Sequence, residues 1–513
     1  MAVSEDRKYT KEFVYNLLES IKGKTLGEVD KTRQFDRTKE SPKITGIAGD
    51  VIEQSVFGYE RDSDQECDIE IDGVLTELKT TGVRIPKSDL KNVVNKSGDA
   101  YNLFFGAKEG ISITGVTFEP TIQTDFNSSH FWEKSEHLLI VFYEYKSYDV
   151  VPASDYAQFP IVDYCYNKFT DSERNQLCSD WELVRDYLQK IYDKYTNPEK
   201  RNEALVGFTH ILRPNLLLIE LVPGFKKKTS GSYQKPRYRL KKTFIDHIVH
   251  GHFDKSRTNV EISLKESFSS FAQLDARCHS ISTKYKGMTY EQLKKSLSIE
   301  TAISTKDFGS KCILKMFGAE GSKLNQISDF IKAGIIAKTI TLTTTGGRTE
   351  DMKLNHIDFE EWTSKEVEFE DSELYLYFCE HSFLCPIFCE HDENDPGKTT
   401  FEGFKRFSFD DDFLDKEVKR TWEDSRSLIH NKTLKWEYAL DKNGNKRKNK
   451  SGSYMGAPNF PKSADYQVFF RGGADDSREE ARIEVVNGIH MLPQFFWLKG
   501  TYIAEKLKTI EYL

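Results

Sequence analysis

Nowhere in the chain do roughly 18 apolar residues run together, so no membrane-spanning helix is expected. The opening stretch, MAVSEDRKYTKEF, is charged from the start and lacks the apolar core of a signal peptide, which points to the cytoplasm. Cysteine is sparse and mostly unpatterned. Of 8, Cys67, Cys165, Cys178, Cys278 and Cys312 are scattered, which excludes a disulfide framework and leaves reduced thiols. The exception is Cys379, His381, Cys385, Cys389 and His391, which would share one face of an extended strand. A Cys-rich core strand and a zinc centre both fit that cluster, and zinc sites more commonly use C-x2-4-C knuckles. An excess of positive charge is also missing. The formal net charge of -8 excludes a wholly basic nucleic-acid binder but leaves room for local basic patches.

What remains is a chain with 38% hydrophobic residues, rich in Phe and Tyr, enough for packed cores. Its 513 residues suggest about two or three domains. Internal similarity narrows this further. GIAGDVIEQSVFG (Gly46–Gly58) has a partner in KDFGSKCILKMFG (Lys306–Gly318), and DGVLTELKT (Asp72–Thr80) in KAGIIAKT (Lys332–Thr339). SDWELVRDYL is echoed by KRTWEDSRSLI, HILRPN by VFFRGG, and RLKKTFI by WLKGTYI. The pairs Gly49/Gly309, Lys79/Lys338, Arg213/Arg471 and Leu240/Leu498 keep a nearly constant spacing. Trp181/Trp422 is closer, and an insertion around Asp441–Ser453 restores the interval. Two copies of one domain are therefore expected at 1–255 and 300–513, with a linker at 256–299 carrying short helices such as Tyr290–Leu297. Within a copy, helical spacing at Phe13, Leu17, Leu18 and Ile21, and again at Trp181, Val184, Leu188 and Ile191, alternates with strand-like runs such as LLIVFYEY and HILRP. Ser179-x-x-Glu182 reads as a capping box opening the second helix. The fold class is α/β, each copy a mixed sheet flanked by helices.

Asp72-Gly73 signals a two-residue hairpin turn. That turn pairs Ile71 with Val74, Glu70 with Leu75, Ile69 with Thr76 and Asp68 with Glu77, leaving Asp68, Glu77 and Lys79 on one face. Facing carboxylates repel unless a cation neutralises them. Mg²⁺ suits oxygen ligands and makes bound water a better nucleophile, and Lys79 can orient that water. Asp…Glu-x-Lys on a hairpin is thus a phosphodiesterase constellation, although a charged solvent face has the same pattern. Glu53, on a helical pattern, can reach the same site or be an exposed helix residue, and Lys134, before a buried strand, can bind the scissile phosphate. Arg213 can read a guanine edge or form a surface ion pair. Leu221–Lys242 carries Lys226, Lys227, Lys228, Lys235, Arg237, Arg239, Lys241 and Lys242 without an acid, interleaved with Tyr233 and Tyr238. That reads as a phosphate-contacting segment or a solvated basic loop.

The second copy separates these alternatives. Ile336 stands at the position of Glu77 and Ile313 at that of Glu53, while Lys338 matches Lys79. Joint loss of the carboxylates on a retained scaffold fits one catalytic and one inert copy. The inert one keeps Arg471, Lys499 and the basic loop Lys442–Lys450 for holding DNA.

GDVIEQSVFG, Asp68, Glu77-Leu78-Lys79-Thr80, SSHFWEK…LLIVFYEY, SDWE, RPN and LKKTF together resemble the MutH family. That family includes the mismatch-repair nicking endonuclease and the two-copy restriction endonuclease of the Sau type, which cuts GATC. The resemblance spans nearly the whole chain. It implies two tandem PD-(D/E)xK, restriction-endonuclease-like domains in a prokaryotic protein. It also implies metal-binding roles for Asp68 and Glu77, a catalytic Lys79, and support from Glu53 and Lys134. GATC recognition through the Arg213–Asn215 region and DNA contacts from Leu240–Lys242 follow in the same way. The Asp-to-Glu interval is longer than usual in the family, leaving Glu70 as a rival to Asp68, and the hairpin register favours Asp68. Asn215 stands where MutH has Lys, and Arg239 where MutH has the Tyr that responds to adenine methylation, so methylation response is not carried over. The expectation is a Mg²⁺-dependent type II restriction endonuclease, a monomer able to dimerise on double-stranded DNA, whose second copy regulates by binding another site. Its rivals are a methyl-directed nicking enzyme and a non-cutting DNA-binding regulator.

Overall fold

The computed structural model describes residues 7–513, except 43, 45, 60–65, 87–88, 95, 149–150, 228–229, 255–260, 322, 349, 366, 449–451 and 474–477. These residues pack into two units. The first holds residues 7–147, Val151–Ala276 and Gly318–Ile335; the second holds Tyr148, Arg277–Phe317 and Ile336–Leu513. The division differs from the expected boundaries at 255 and 300. The stretch read as a linker carries the helices Phe271–Tyr285 and Tyr290–Ser296, and the chain passes between the units after Ala276 and again after Phe317 and Ile335.

In the first unit, α1 (Lys11–Ile21) follows the expected periodicity, burying Val14, Leu18 and Ile21. Next come α2 (Ile47–Val51), which runs into a wider π-type turn at Ile52–Phe57, and the hairpin strands β1 (Ile69–Ile71) and β2 (Val74–Arg84). β3 (Ile111–Gly115), α3 (His130–Glu136), β4 (His137–Glu144) and β5 (Ile161–Lys168) follow. β2 is central. It runs antiparallel to β1 and parallel to β4, which is in turn antiparallel to β5. In β4 the successive residues Leu138–Tyr143 are all buried, so both faces of this strand are covered, as its unbroken apolar run requires.

α4 (Asp171–Lys194) starts earlier than expected. Its capping box is Thr170 with Glu173, and Ser179 lies inside the helix, whose buried stripe reaches upstream through Leu177. HILRP is not a strand either: Thr209–Leu212 is helical and Arg213–Asn215 a 3-10 turn. β6 (Ile219–Val222), β7 (Arg237–Leu240) and α5 (Lys242–Phe253) complete this unit's described core, with a small sheet in the order β3-β7-β6.

The second unit repeats the plan. α6 (Phe308–Met316) precedes the strand Ile335–Ala337, β8 (Ile340–Thr343) and β9 (Met352–His356). α7 (Glu373–Glu380) leads into β10 (Ser382–Glu390) and β11 (Thr400–Phe407). α8 (Lys419–His430), β12 (Trp436–Tyr438), β13 (Gly456–Pro458), β14 (Val468–Gly472), β15 (Gln494–Leu498) and α9 (Gly500–Lys508) complete it. β8 is parallel to β10, as β2 is to β4. The small sheet β9-β15-β14 mirrors β3-β7-β6. No helix among the described residues is long and apolar enough to cross a membrane.

Candidate active site

The hairpin turns on Asp72 (φ 48°) and Gly73 (φ 82°), both in the left-handed region that a type I′ turn requires. The register is the expected one, Ile71 with Val74, Glu70 with Leu75 and Ile69 with Thr76. Asp68 lies just beyond the ladder, and its carboxylate accepts the Leu78 N–H at 2.9 Å, which keeps it beside Glu77. Glu70 instead pairs with Lys8 at 3.3 Å.

Glu77 is 1% exposed and sits between two ammonium groups. Lys79 Nζ lies 2.6 Å from Oε1 and Lys134 Nζ 2.9 Å from Oε2. α3 delivers Lys134, which also donates to the Glu66 carbonyl at 2.8 Å and so ties the segment leading to Asp68 to Glu77. Glu53 projects from the π-type turn. Burial, reinforced by Asp68, pushes its carboxyl up to about 7. Burial and then Glu77 push Asp68 up to about 6. Burial alone would lower the Lys79 ammonium, but Glu77 and Asp68 outweigh it and hold it above its ordinary range.

Negative charge therefore exceeds what Lys79 and Lys134 neutralise, the condition a hard divalent cation relieves. Asp68 and Glu77 are the oxygen donors that fit one. Among the described residues no three His, Cys, Asp or Glu side chains converge closely enough to form a full protein cage. The Tyr59 hydroxyl, which no sequence pattern singles out, is buried here without a hydrogen-bond partner among the described residues; burial and then Asp68 hold its phenol far above the ordinary range.

An open cleft of ≈ 420 Å³ leads away from Glu77, Lys79 and Lys134, and His130, Lys235 and Tyr238 are among its lining residues. Of the segment's basic residues, Lys228 lies outside the described residues, and among the described ones Lys235 alone lines that cleft. Arg239 is paired with Glu220 at 2.6 Å and Lys242 with Asp246 at 3.3 Å. Lys241 does not reach the surface. It is 6% exposed and donates to the Leu216 carbonyl at 2.6 Å, so its place is that of an internal prop rather than the expected phosphate contact. Arg213 is half-buried and Asn215 exposed, on adjoining positions of one turn.

In the second unit the site's polar groups are replaced. Ile340 pairs with Ile387, and extending this parallel register sets Ile336 beside Phe383 as Glu77 sits beside Leu138. On that register Cys379, near the end of α7, takes the place of Lys134. Ile336 and Cys379 pack against the apolar core, and Ile313 is 1% exposed within α6. Lys338 remains, its ammonium lowered by burial and only 3.4 Å from the Lys353 carbonyl.

Two further expectations change here. The Cys379–His391 residues do not share one strand face. Cys379 is helical, His381 Nδ1 is 2.9 Å from the Tyr377 carbonyl, and His391 Nε2 is 2.9 Å from the Thr400 hydroxyl. Arg471 is not the equivalent of Arg213. Leu498 pairs with Val468 as Leu240 pairs with Ile219, which sets Arg471, opposite Phe495, at the position of Val222, opposite Arg237. It is paired with Asp351 at 2.6 Å. Lys499 does correspond to Lys241, each preceding its terminal helix.

Comparisons with known proteins agree with this geometry. A sequence model of the family described as DNA mismatch repair enzyme MutH matches residues 57–180, a stretch that holds Asp68, Glu77, Lys79 and Lys134 and stops short of Glu53. The chain is 25% identical over 542 residues to the type II restriction enzyme Sau3AI of Staphylococcus aureus, covering 98% of this chain and 99% of that protein.

Proposed function

We propose that this chain, similar to the MutH family and to a Sau3AI-type enzyme, is a Mg²⁺-dependent type II restriction endonuclease cutting double-stranded DNA at GATC. The first unit carries the chemistry. A bound Mg²⁺, held by Asp68 and Glu77, would supply an acidified water and offset charge developing on the phosphate. Lys134 keeps the Glu77 carboxylate in place through Oε2. Lys79 Nζ, already against Oε1, orients the incoming water. Glu53, pushed up to about 7, is suited to accept that water's proton near neutral pH. Arg213 and Asn215 approach the base edges, and Lys235, Arg239 and Lys242 lie close enough in sequence to follow the backbone.

The observation that carries this reading is the contrast between the units. Glu77 is buried between two lysines in one, while Ile336 and Cys379 stand there in the other. Generic surface charges have no reason to vanish together. The second unit is then a DNA-binding regulator, with Lys499 and the exposed basic arm around Lys442, Lys446, Arg447 and Lys448 as its contacts and a second site as its effector.

The test is incubation of the purified protein with plasmids carrying or lacking GATC, adenine-methylated or not, in Mg²⁺ or EDTA, followed by mapping of the ends. Linear products ending at GATC, formed only with Mg²⁺, are expected. Nicked circles alone would favour a repair-type nicking enzyme. Binding without any cleavage would favour a regulator and overturn the proposal.

A further inference from the structure

Helix α4 buries a carboxylate that takes no part in the site above. Asp180 is 1% exposed, and it accepts the Leu217 N–H at 2.8 Å, the Leu218 N–H at 2.7 Å and the Ile219 N–H at 2.9 Å. Lys241, also buried, donates to the Leu216 carbonyl at 2.6 Å, and its own N–H donates to the Leu218 carbonyl at 2.9 Å. Two oppositely charged side chains thus grip four consecutive residues, Leu216–Ile219. These four connect the Arg213–Asn215 turn to β6.

Stability is a poor explanation for this arrangement, since buried ionic groups often contribute no more than apolar ones of similar size. The second unit makes the comparison within the same chain. The Trp181/Trp422 match sets Thr421 where Asp180 stands, and Val468 occupies the position of Ile219. There a hydroxyl stands instead of the acid: Thr421 directs its one proton to the Val468 carbonyl at 2.7 Å, with the Glu417 carbonyl of its own helix at 3.0 Å. The main-chain bond persists, from the Lys499 N–H to the Gln467 carbonyl at 2.9 Å. Helix and strand therefore pack at this junction without a buried acid. What the first unit has in addition is the Arg-Pro-Asn turn. Pro214 fixes its own φ, which removes one of the few dihedrals lying between Leu216 and Arg213.

We propose that Asp180 and Lys241 are positioning residues for base recognition, fixing the Leu216–Ile219 backbone so that the Arg213–Asn215 turn meets DNA in one register. The proposal rests on the reading that this turn faces the bases. A bidentate contact depends on angle as well as distance, so discrimination suffers before affinity when its support loosens.

Asp180→Asn and Lys241→Met test it separately. Cleavage is followed on a cognate duplex and on one with a single base pair changed, alongside binding to random DNA and the Tm of each variant. The cognate-to-changed rate ratio should fall by about tenfold in both variants, the size of one good base contact, with the decrease falling on the cognate duplex. Lys241→Met also serves if Asp180→Asn does not fold. Equal decreases on both duplexes accompanied by a lower Tm would mean that the pair only stabilises the domain, overturning the proposal. Arg213→Ala runs in parallel. If it loses discrimination while the two variants keep it, positioning alone fails. If it too keeps discrimination, the underlying reading of the turn fails.

Discussion

Glu77 is where local sequence and three-dimensional packing meet. Its two oxygens are matched by Lys79 and Lys134, yet Asp68 and Glu53 beside it stay short of counter-charge. The consequence for stability has a definite sign. Asp68 at about 6 and Glu53 at about 7 lie above their ordinary values of 3.8 and 4.5. The folded metal-free protein therefore holds protons that the unfolded chain has released, and its stability should fall as pH rises through that window. A divalent cation should offset the decrease. In EDTA the Tm is expected to drop between pH 5 and pH 8, less so in Glu53→Gln, and Mg²⁺ should raise it more at pH 8 than at pH 5. A wild-type profile indistinguishable from that of Glu53→Gln, with no pH dependence in the Mg²⁺ effect, would mean these carboxylates are not crowded as described.

Elements governed by near neighbours were legible. The Asp72-Gly73 turn and the alternation around it set both the hairpin register and the face shared by Glu77 and Lys79. Elements decided at long range were not. Two capping boxes compete at the start of α4, and Thr170 prevails because the buried stripe continues upstream to Leu177. Lys241 looks like part of a basic surface until its partner, the distant Leu216 carbonyl, is known. Arg471 looks like Arg213 in sequence, and only strand pairing separates them. Asp180 falls inside the repeated SDWE segment, but its three backbone donors come from a stretch far along the chain. The basic arm of the second unit, expected as a loop, is partly a ribbon in which β12 pairs with β13 and Lys446 lies 3.7 Å over the Tyr438 ring. Replacing residues 442–448 with a short Gly-Ser turn should weaken DNA binding and flatten its salt dependence, by a slope of about 0.9 for each phosphate no longer neutralised. It should also reduce the per-site rate advantage of a two-site plasmid over a one-site plasmid. Binding, salt slope and rate advantage all unchanged would remove the arm from DNA contact.

Across the whole molecule one plan is used twice, with the order β3-β7-β6 recurring as β9-β15-β14. Duplication was read from matched segments that keep their order, and the recurring order of the small sheet supports it. The seam was not legible, because Gly318–Ile335 packs with the first unit and Arg277–Phe317 with the second, a matter of tertiary contact rather than composition. Two copies with one furnished site imply that all cutting depends on a single hairpin. Glu77→Ala addresses this most directly, assayed by cleavage of GATC plasmid in Mg²⁺, with duplex binding in Ca²⁺ and a Tm to verify folding. Cleavage should disappear on both strands while binding to the GATC duplex remains. Double-strand cutting at GATC by the folded variant would contradict the account, because it would place the chemistry outside the Glu77 site.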